Sequence, residues 1–193
     1  MQRQPLVFLG TYTSNNASTG IYVHRYDPAT GALTPVAAAP KVDNPSFLAL
    51  SRTGRHLYAT IENTDGQIAA FSVDPESGAM RLVNQQSSHG AHPCHIVIDP
   101  TGKWVLSANY SSGSLCVLPI RDDGSLGPAS DIVQQKGTGP NRARQEGPHA
   151  HSMTFDPAGR FVFAADLGAD RLFAYRFAPK AGKRRPAAPP PTP

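Results

Sequence analysis

Short runs of alternating apolar and polar residues recur along most of the chain. In one stretch they read PSFLALS, HLYATIE, QIAAFSV and MRLVNQ, beginning at residues 45, 56, 67 and 80. Each run is rich in β-branched or aromatic residues and is bounded by Gly, Asp-Pro or Asn, which predicts short β-strands. No segment has a convincing amphipathic helical period. The sequence therefore predicts an all-β protein of about fourteen strands.

The turns between these runs repeat with a nearly constant period. Three sets of turn glycines are spaced 46 to 48 residues apart, and only the last interval lengthens, to 57 residues. The sets are Gly54, Gly102 and Gly159; Gly20, Gly66 and Gly113, followed by Asp170; and Gly31, Gly78 and Gly124. A repeat of about 40–50 residues with four antiparallel strands is typical of a β-propeller blade. We therefore predict blades near residues 5–40, 44–87, 92–134 and 148–177.

The long last interval indicates an inserted loop. Its nine extra residues fall between Ile132 and Pro148, in the polar stretch VQQKGTGPNRARQEGP, which runs directly into HAHS. Long loops on rigid scaffolds are commonly functional or disordered.

Both ends of the repeat array are expected to be incomplete. The first repeat begins at LVFLGTYT, which matches the second strand of a blade, so its innermost strand is missing. The fourth repeat reaches Phe177 and a turn with Gly182 in phase, and then becomes RRPAAPPPTP, where an outer strand is expected. A segment of this composition buries too little apolar surface to offset the conformational entropy that it would lose on becoming ordered. We therefore expect residues 178–193 to form a Pro-rich, basic, disordered tail.

Charge and cysteine content narrow the functional class. All 14 acidic residues and 14 of the 18 Lys and Arg residues lie before residue 178, so the body is neutral and the net charge of +4 comes from the tail. This argues against a nucleic-acid-binding surface. Two cysteines form no disulfide framework, and no signal peptide or membrane span is predicted. The expected location is cytoplasmic.

Several longer motifs resemble one family. GTYT, the DPxTG turns, HPCHIVIDPTGKWVLSANYSSGSLCVLPI and RQEGPHAHSMTFDPAGRFVFAADLGADRL are similar to the seven-bladed β-propeller lactonases, which include bacterial 6-phosphogluconolactonases and carboxymuconate cyclases. The resemblance covers residues 5–177. It implies a ring about twice this length, so that the chain corresponds to about four blades of seven. A truncated gene, a frameshift or a premature stop would each explain the shorter chain. The resemblance also implies a small lactone or sugar-acid substrate.

Lactone hydrolysis needs a base that activates water and a donor near the developing oxyanion. Histidine suits the first role, because its unperturbed pKa of about 6.5 lies near working pH. The resemblance carries the active-site region onto the Arg-Gln loop and the Pro-His-x-His segment, that is, onto Arg144, Gln145, His149 and His151. Counting back from the turn glycines makes His92 equivalent to His149, Cys94 to His151 and His95 to Ser152. Further candidates for substrate binding are His92, His95, Arg142, Asn109, Tyr110 and Asp166, which lie on the inserted loop or at strand ends on the same rim.

Other chemistries have weaker support in the sequence. No metal or cofactor is expected, because HPCH lacks the three or four convergent ligands that zinc needs, and the starts of the inner strands lack the carboxylates of a calcium site. A Ser152–His151 pair is disfavoured because adjacent strand residues point to opposite faces. His24, His56 and His89 are treated as structural or surface residues.

Three functional alternatives remain open at this point. The chain is a 6-phosphogluconolactonase-like hydrolase with His149 or His151 as base, a carboxymuconate-type cycloisomerase that uses the same residues, or a non-catalytic propeller scaffold. A chain with half of the ring is also expected to be poorly soluble or to self-associate through open sheet edges, and an inactive chain is a further alternative.

Overall fold

The protein folds as four antiparallel β-sheets that follow one another along the chain. The computed structural model describes residues 4–14 and 17–186, and within these ranges there are fifteen strands and no helix. Nothing in the described chain is therefore a helix able to cross a membrane. The all-β, blade-like architecture predicted from the repeats is confirmed.

Each sheet is an up-and-down meander whose strands pair with their neighbours in sequence. The first sheet has only three strands, as predicted, and the other three have four. The strands are β1 (Leu6–Gly10), β2 (Ile21–Tyr26) and β3 (Leu33–Ala38); β4 (Leu48–Leu50), β5 (His56–Ile61), β6 (Gln67–Val73) and β7 (Met80–Ser87); β8 (Pro93–Ile98), β9 (Trp104–Asn109), β10 (Ser114–Pro119) and β11 (Asp131–Gln134); and β12 (Ala150–Phe155), β13 (Phe161–Asp166), β14 (Arg171–Ala178) and β15 (Lys183–Pro186).

The repeated glycines lie at the turns that the period predicted. Gly54, Gly102 and Gly159 join the first and second strands of successive four-stranded sheets and have φ of 68°, 73° and 67°. This left-handed backbone region is strained for residues with a Cβ, so glycine sets the turn geometry in all three blades.

The hydrophobic core lies between successive sheets rather than inside any one of them. One cluster joins the first and second sheets around Ile21 and Phe71, a second joins the second and third around Tyr58 and Leu118, and a third joins the last two sheets and includes Met153. Each fully buried large side chain of this kind contributes about 1.5–3 kcal/mol. Stacked sheets with cores between them bring the inner strands β4, β8 and β12 side by side.

The prediction that the chain is disordered from residue 178 is wrong for its first part. Lys183–Pro186 forms β15, which pairs with β14 and completes the fourth sheet. The turn before it is held against the third sheet, where Trp104 donates its indole N–H to the Pro179 carbonyl at 2.7 Å and Ser130 donates to the Gly182 carbonyl at 2.8 Å. These two contacts hold the turn before β15 in place, although the composition of the segment favours disorder. The rest of the predicted tail, 187–193, lies outside the described residues.

Candidate active site

One rim of the stacked sheets carries an open cavity of about 400 Å³ that contains three of the expected residues. Its lining is drawn from all four sheets and from the inserted loop. The lining residues are Tyr12, Ser46, Glu62, Cys94, Tyr110, Arg144, His151 and Leu167.

The cavity is built from repeated positions. Ser46, Cys94 and His151 each lie eight residues before the turn glycine of their blade, at or before the start of the inner strand. A second set of positions lies eight residues after the same glycines, just past the end of the second strand: Glu62, Tyr110 and Leu167, with Tyr12 just past the end of β1. The repeat that builds the fold therefore also brings these side chains to one place.

His151 is presented to the cavity by a β-bulge. The pairing of β12 with β13 shifts register between Ala150 and Ser152, and β8 has the same irregularity between Pro93 and His95, around Cys94. Bulges of this kind re-aim side chains beside functional sites. His151 is exposed, and its ring lies edge-on to Tyr110 with centroids 6.0 Å apart. No hydrogen bond from the described residues occupies its imidazole, so both ring nitrogens are available.

His149 is held in a different way. Its ring stacks on Tyr110 with centroids 4.7 Å apart and 15° between the planes. Its Nδ1 lies 3.2 Å from the Tyr110 carbonyl oxygen, which can only accept, and its Nε2 lies 3.1 Å from Glu146. The backbone amide of Glu146 and the contact with His149 lower the pKa of that carboxyl. Both nitrogens of His149 are thus engaged, and its ring lies outside the cavity lining.

Arg144 reaches the cavity from the inserted loop. Its guanidinium donates to the Tyr110 hydroxyl at 3.2 Å. Gln145 fixes the loop beside it: the amide group donates to the Leu167 carbonyl at 2.9 Å, and the amide oxygen accepts from the Asn141 backbone N–H at 2.8 Å. Gln145, predicted to bind substrate, thus holds the loop that carries Arg144. Arg142 lines a separate depression formed by the loop itself.

His92 and His95 lie beside the cavity but do not line it. His92 has a φ of 55°, and its backbone N–H donates to the Asn63 carbonyl while its own carbonyl accepts from the Tyr110 N–H. His95 packs on Phe47 with ring centroids 4.3 Å apart. Its Nδ1 accepts from the Met153 N–H, and burial together with nearby His151 lowers its pKa, so it is a neutral packing residue. His92 thus contributes its backbone to the rim and His95 its packed ring, and neither side chain lines the cavity.

Asn109 and Asp166 are buried beneath the rim, with exposures of 0% and 3%. Asn109 donates to the Ser88 carbonyl and to the Ser114 hydroxyl, each at 3.0 Å. Asp166 accepts from the backbone N–H of His149 at 2.7 Å and of Ala169 at 2.8 Å. Both side chains tie the rim loops to the ends of the second strands and neither lines the cavity, so their contact with substrate stays a prediction.

One carboxylate in the cavity lining, Glu62, is not among the residues predicted from the sequence. Glu62 accepts from the Tyr12 hydroxyl at 2.9 Å and from the Ser46 hydroxyl through the same oxygen, Oε2. Burial, and then Glu62, raise the pKa of Tyr12. Burial and Glu62 also raise the pKa of the Cys94 thiol to about 12. The signal was available in the repeat, since Glu62 occupies the position of Tyr110 one blade earlier.

The cavity therefore has two unlike sides. Arg144 and His151 supply a cation and a proton acceptor, and Glu62 with its hydroxyl donors supplies an anion. Within the described ranges no three His, Cys, Asp or Glu side chains converge as a metal-binding group.

The chain is similar to known proteins along most of its length. The family described as "Lactonase, 7-bladed beta-propeller" matches residues 6–192. A 6-phosphogluconolactonase of Bacillus subtilis is 38% identical over 192 residues, an alignment that covers 92% of this chain and 54% of the relative. A 6-phosphogluconolactonase of Formosa agariphila is 32% identical, with 88% and 49% covered.

A solved structure leads to the same family. The periplasmic gluconolactonase of Pseudomonas aeruginosa superposes with a TM-score of 0.87 at 34% identity, covering 100% of this chain and 56% of the other. The chain thus spans about half the length of the relatives it matches. Because the family matches almost the whole length of the chain, the chain belongs to the seven-bladed β-propeller lactonase family.

Proposed function

We propose that the chain acts as a lactone hydrolase on a sugar δ-lactone, 6-phosphogluconolactone being the best candidate. One observation carries the proposal: an exposed imidazole, His151, and a guanidinium, Arg144, line the same cavity on the rim. These are the two groups that ester hydrolysis without a metal requires. The names of the relatives from Bacillus subtilis and Formosa agariphila support the choice of substrate.

We assign the base to His151 rather than to His149. A base must have a free nitrogen within reach of water, and His151 has both nitrogens available in the cavity, whereas His149 contacts the Tyr110 carbonyl and Glu146. In the proposed reaction His151 takes a proton from water as the water oxygen attacks the lactone carbonyl carbon. The C–O bond to the ring oxygen then breaks, and His151 returns the proton to that oxygen, which becomes a hydroxyl.

Arg144 is assigned to the negative charge that develops on the carbonyl oxygen. A guanidinium is permanently charged and donates several hydrogen bonds in fixed directions. The hydrogen bond to Tyr110 restricts its position, and His149 in turn holds Tyr110 through the stacked rings. His149 therefore acts on the reaction through Tyr110 and Arg144.

The assignment is tested with three matched substitutions in the 193-residue chain, His151→Asn, His149→Asn and His89→Asn. His89 is exposed and lies outside the cavity, so it serves as the control. The assay follows 6-phosphogluconate formation above the spontaneous rate. Loss of a general base lowers kcat by about 100-fold or more, and we expect this for His151→Asn. We expect a smaller loss for His149→Asn and no change for His89→Asn.

Two results would contradict the assignment. If His151→Asn keeps the wild-type kcat while remaining folded, His151 is not the base. If the wild-type chain gives no turnover of 6-phosphogluconolactone, the proposed hydrolase activity fails, and the non-catalytic scaffold becomes the better account.

Two further expectations stay proposals. The inner edge of β1 has no partner strand among the described residues, and an open edge favours pairing with another chain, so we propose self-association, to be measured by light scattering. Cytoplasmic location remains a prediction, and the Pseudomonas aeruginosa relative is named periplasmic.

A further inference from the structure

We infer that Glu62, held by Tyr12 and Ser46, is the hydroxyl-binding side of the cavity, so that the site selects a polyhydroxylated lactone and rejects a polycarboxylate. The inference rests on the proposed function and narrows its substrate class.

The geometry of Glu62 leaves one oxygen for a ligand. Both hydroxyl donors, from Tyr12 and Ser46, go to Oε2. No described residue donates to Oε1, and the residue is only partly buried in the cavity lining. An ionised carboxylate only accepts hydrogen bonds, so a ligand that binds Oε1 must supply a hydrogen-bond donor. The hydroxyls of a sugar ring are such donors, and bonds of this charge-assisted kind are the stronger ones.

The negative charge also excludes ligands. A second or third carboxylate brought next to Glu62 meets a like charge, which is unfavourable. The same charge contributes, after burial, to the raised pKa of both Tyr12 and Cys94. A hydroxylated lactone ring therefore fits with its carbonyl towards Arg144 and His151 and its hydroxyls towards Glu62. A carboxymuconate-type substrate, which carries several carboxylates, does not.

The test uses Glu62→Gln, which keeps the shape and removes the charge. Glu76→Gln, on the exposed turn between β6 and β7, is the matched control. Each chain is assayed for kcat/KM with 6-phosphogluconolactone and for inhibition by tricarballylate, an acyclic tricarboxylate. In Glu62→Gln we expect kcat/KM to fall about five- to tenfold, because a bond to a charged acceptor becomes a neutral one.

We expect the affinity for tricarballylate to change in the opposite direction, with an inhibition constant about tenfold lower once the like charge is gone. Damage to the fold weakens both, so the opposite signs identify the role. Tyr12→Phe removes one donor to Glu62 and is expected to lower kcat/KM by a smaller factor without changing the charge.

The outcomes separate the two proposals. Wild-type turnover with no effect of Glu62→Gln on either quantity, or with a loss of turnover and no tightening of tricarballylate binding, overturns the inference and leaves the hydrolase proposal intact. Absence of wild-type turnover overturns both.

Discussion

Cys94 offers a test of the cavity that does not depend on activity. Its thiol lines the cavity, and its pKa is raised from an ordinary 9.0 to about 12, first by burial and then by Glu62. Both causes disfavour the thiolate, which is the reactive form. The structure therefore predicts slow reaction with a neutral disulfide such as 4,4′-dithiodipyridine at pH 8.

The expected rate follows from that pKa. A rise from 9.0 to about 12 lowers the thiolate fraction at pH 8 by about a thousandfold. A more basic thiolate is also a better nucleophile, by about twentyfold over the same interval for a Brønsted coefficient near 0.45. The net effect is a reaction about 40- to 50-fold slower than that of an unperturbed thiol.

The assay follows release of the thiopyridone with time. A Cys94→Ala chain gives the background from Cys116, which has no exposed surface. The rate of the wild-type chain should rise about tenfold per pH unit and show no plateau up to pH 10. Glu62→Gln should react several-fold faster at pH 8, because removing the negative charge lowers the pKa of the thiol. A plateau near pH 9, or an unchanged rate in Glu62→Gln, would refute the geometry assigned to this side of the cavity.

Three further predictions concern stability. Gly66→Ala should lower the free energy of unfolding in urea by about 2–4 kcal/mol, because its Cβ would lie 1.8 Å from a backbone oxygen at a φ of +34°. Gly54→Ala, which has open space around it, should lower the same quantity by only about 1 kcal/mol, and equal losses in the two variants would contradict this. Asp166→Ala should cost about 2–4 kcal/mol by leaving two backbone donors unpaired, and Asp166→Asn clearly less. Trp104→Phe should accelerate tryptic cleavage after Lys183, because the turn before β15 loses its indole donor; unchanged cleavage would show that the contact does not order the turn.

The glycine period predicted the fold well because it records backbone geometry directly. Gly54, Gly102 and Gly159 occupy turns that favour glycine. The sequence spacing between these glycines therefore gives the length of each repeated sheet. The same period placed Gly182 in phase with the earlier turns. The composition of the tail nevertheless suggested disorder, since the contacts that order β15 come from Trp104 and Ser130, far away in sequence.

The site could be predicted only in part. His151 and Arg144 stand out as residue types, and the repeat places them on one rim. Glu62 belongs to no motif that marks it as a site residue in the sequence, and its hydrogen-bond partner Tyr12 lies in another blade. The separate roles of His149 and His151 depend on a bulge that alternation along a strand does not reveal. The burial of Asn109 and Asp166 depends on hydrogen bonds to Ser88 and His149, which lie far from them in sequence.

The proposed function places a sugar lactone and its product in the cavity between His151, Arg144 and Glu62. Titration of the histidine-labelled chain with 6-phosphogluconate, followed through the imidazole carbon resonances, tests this directly. We expect the largest displacement for the His151 signals, identified by their absence in His151→Asn, and none for His89, which lies outside the cavity. A saturating ligand that leaves the His151 signals in place would contradict it.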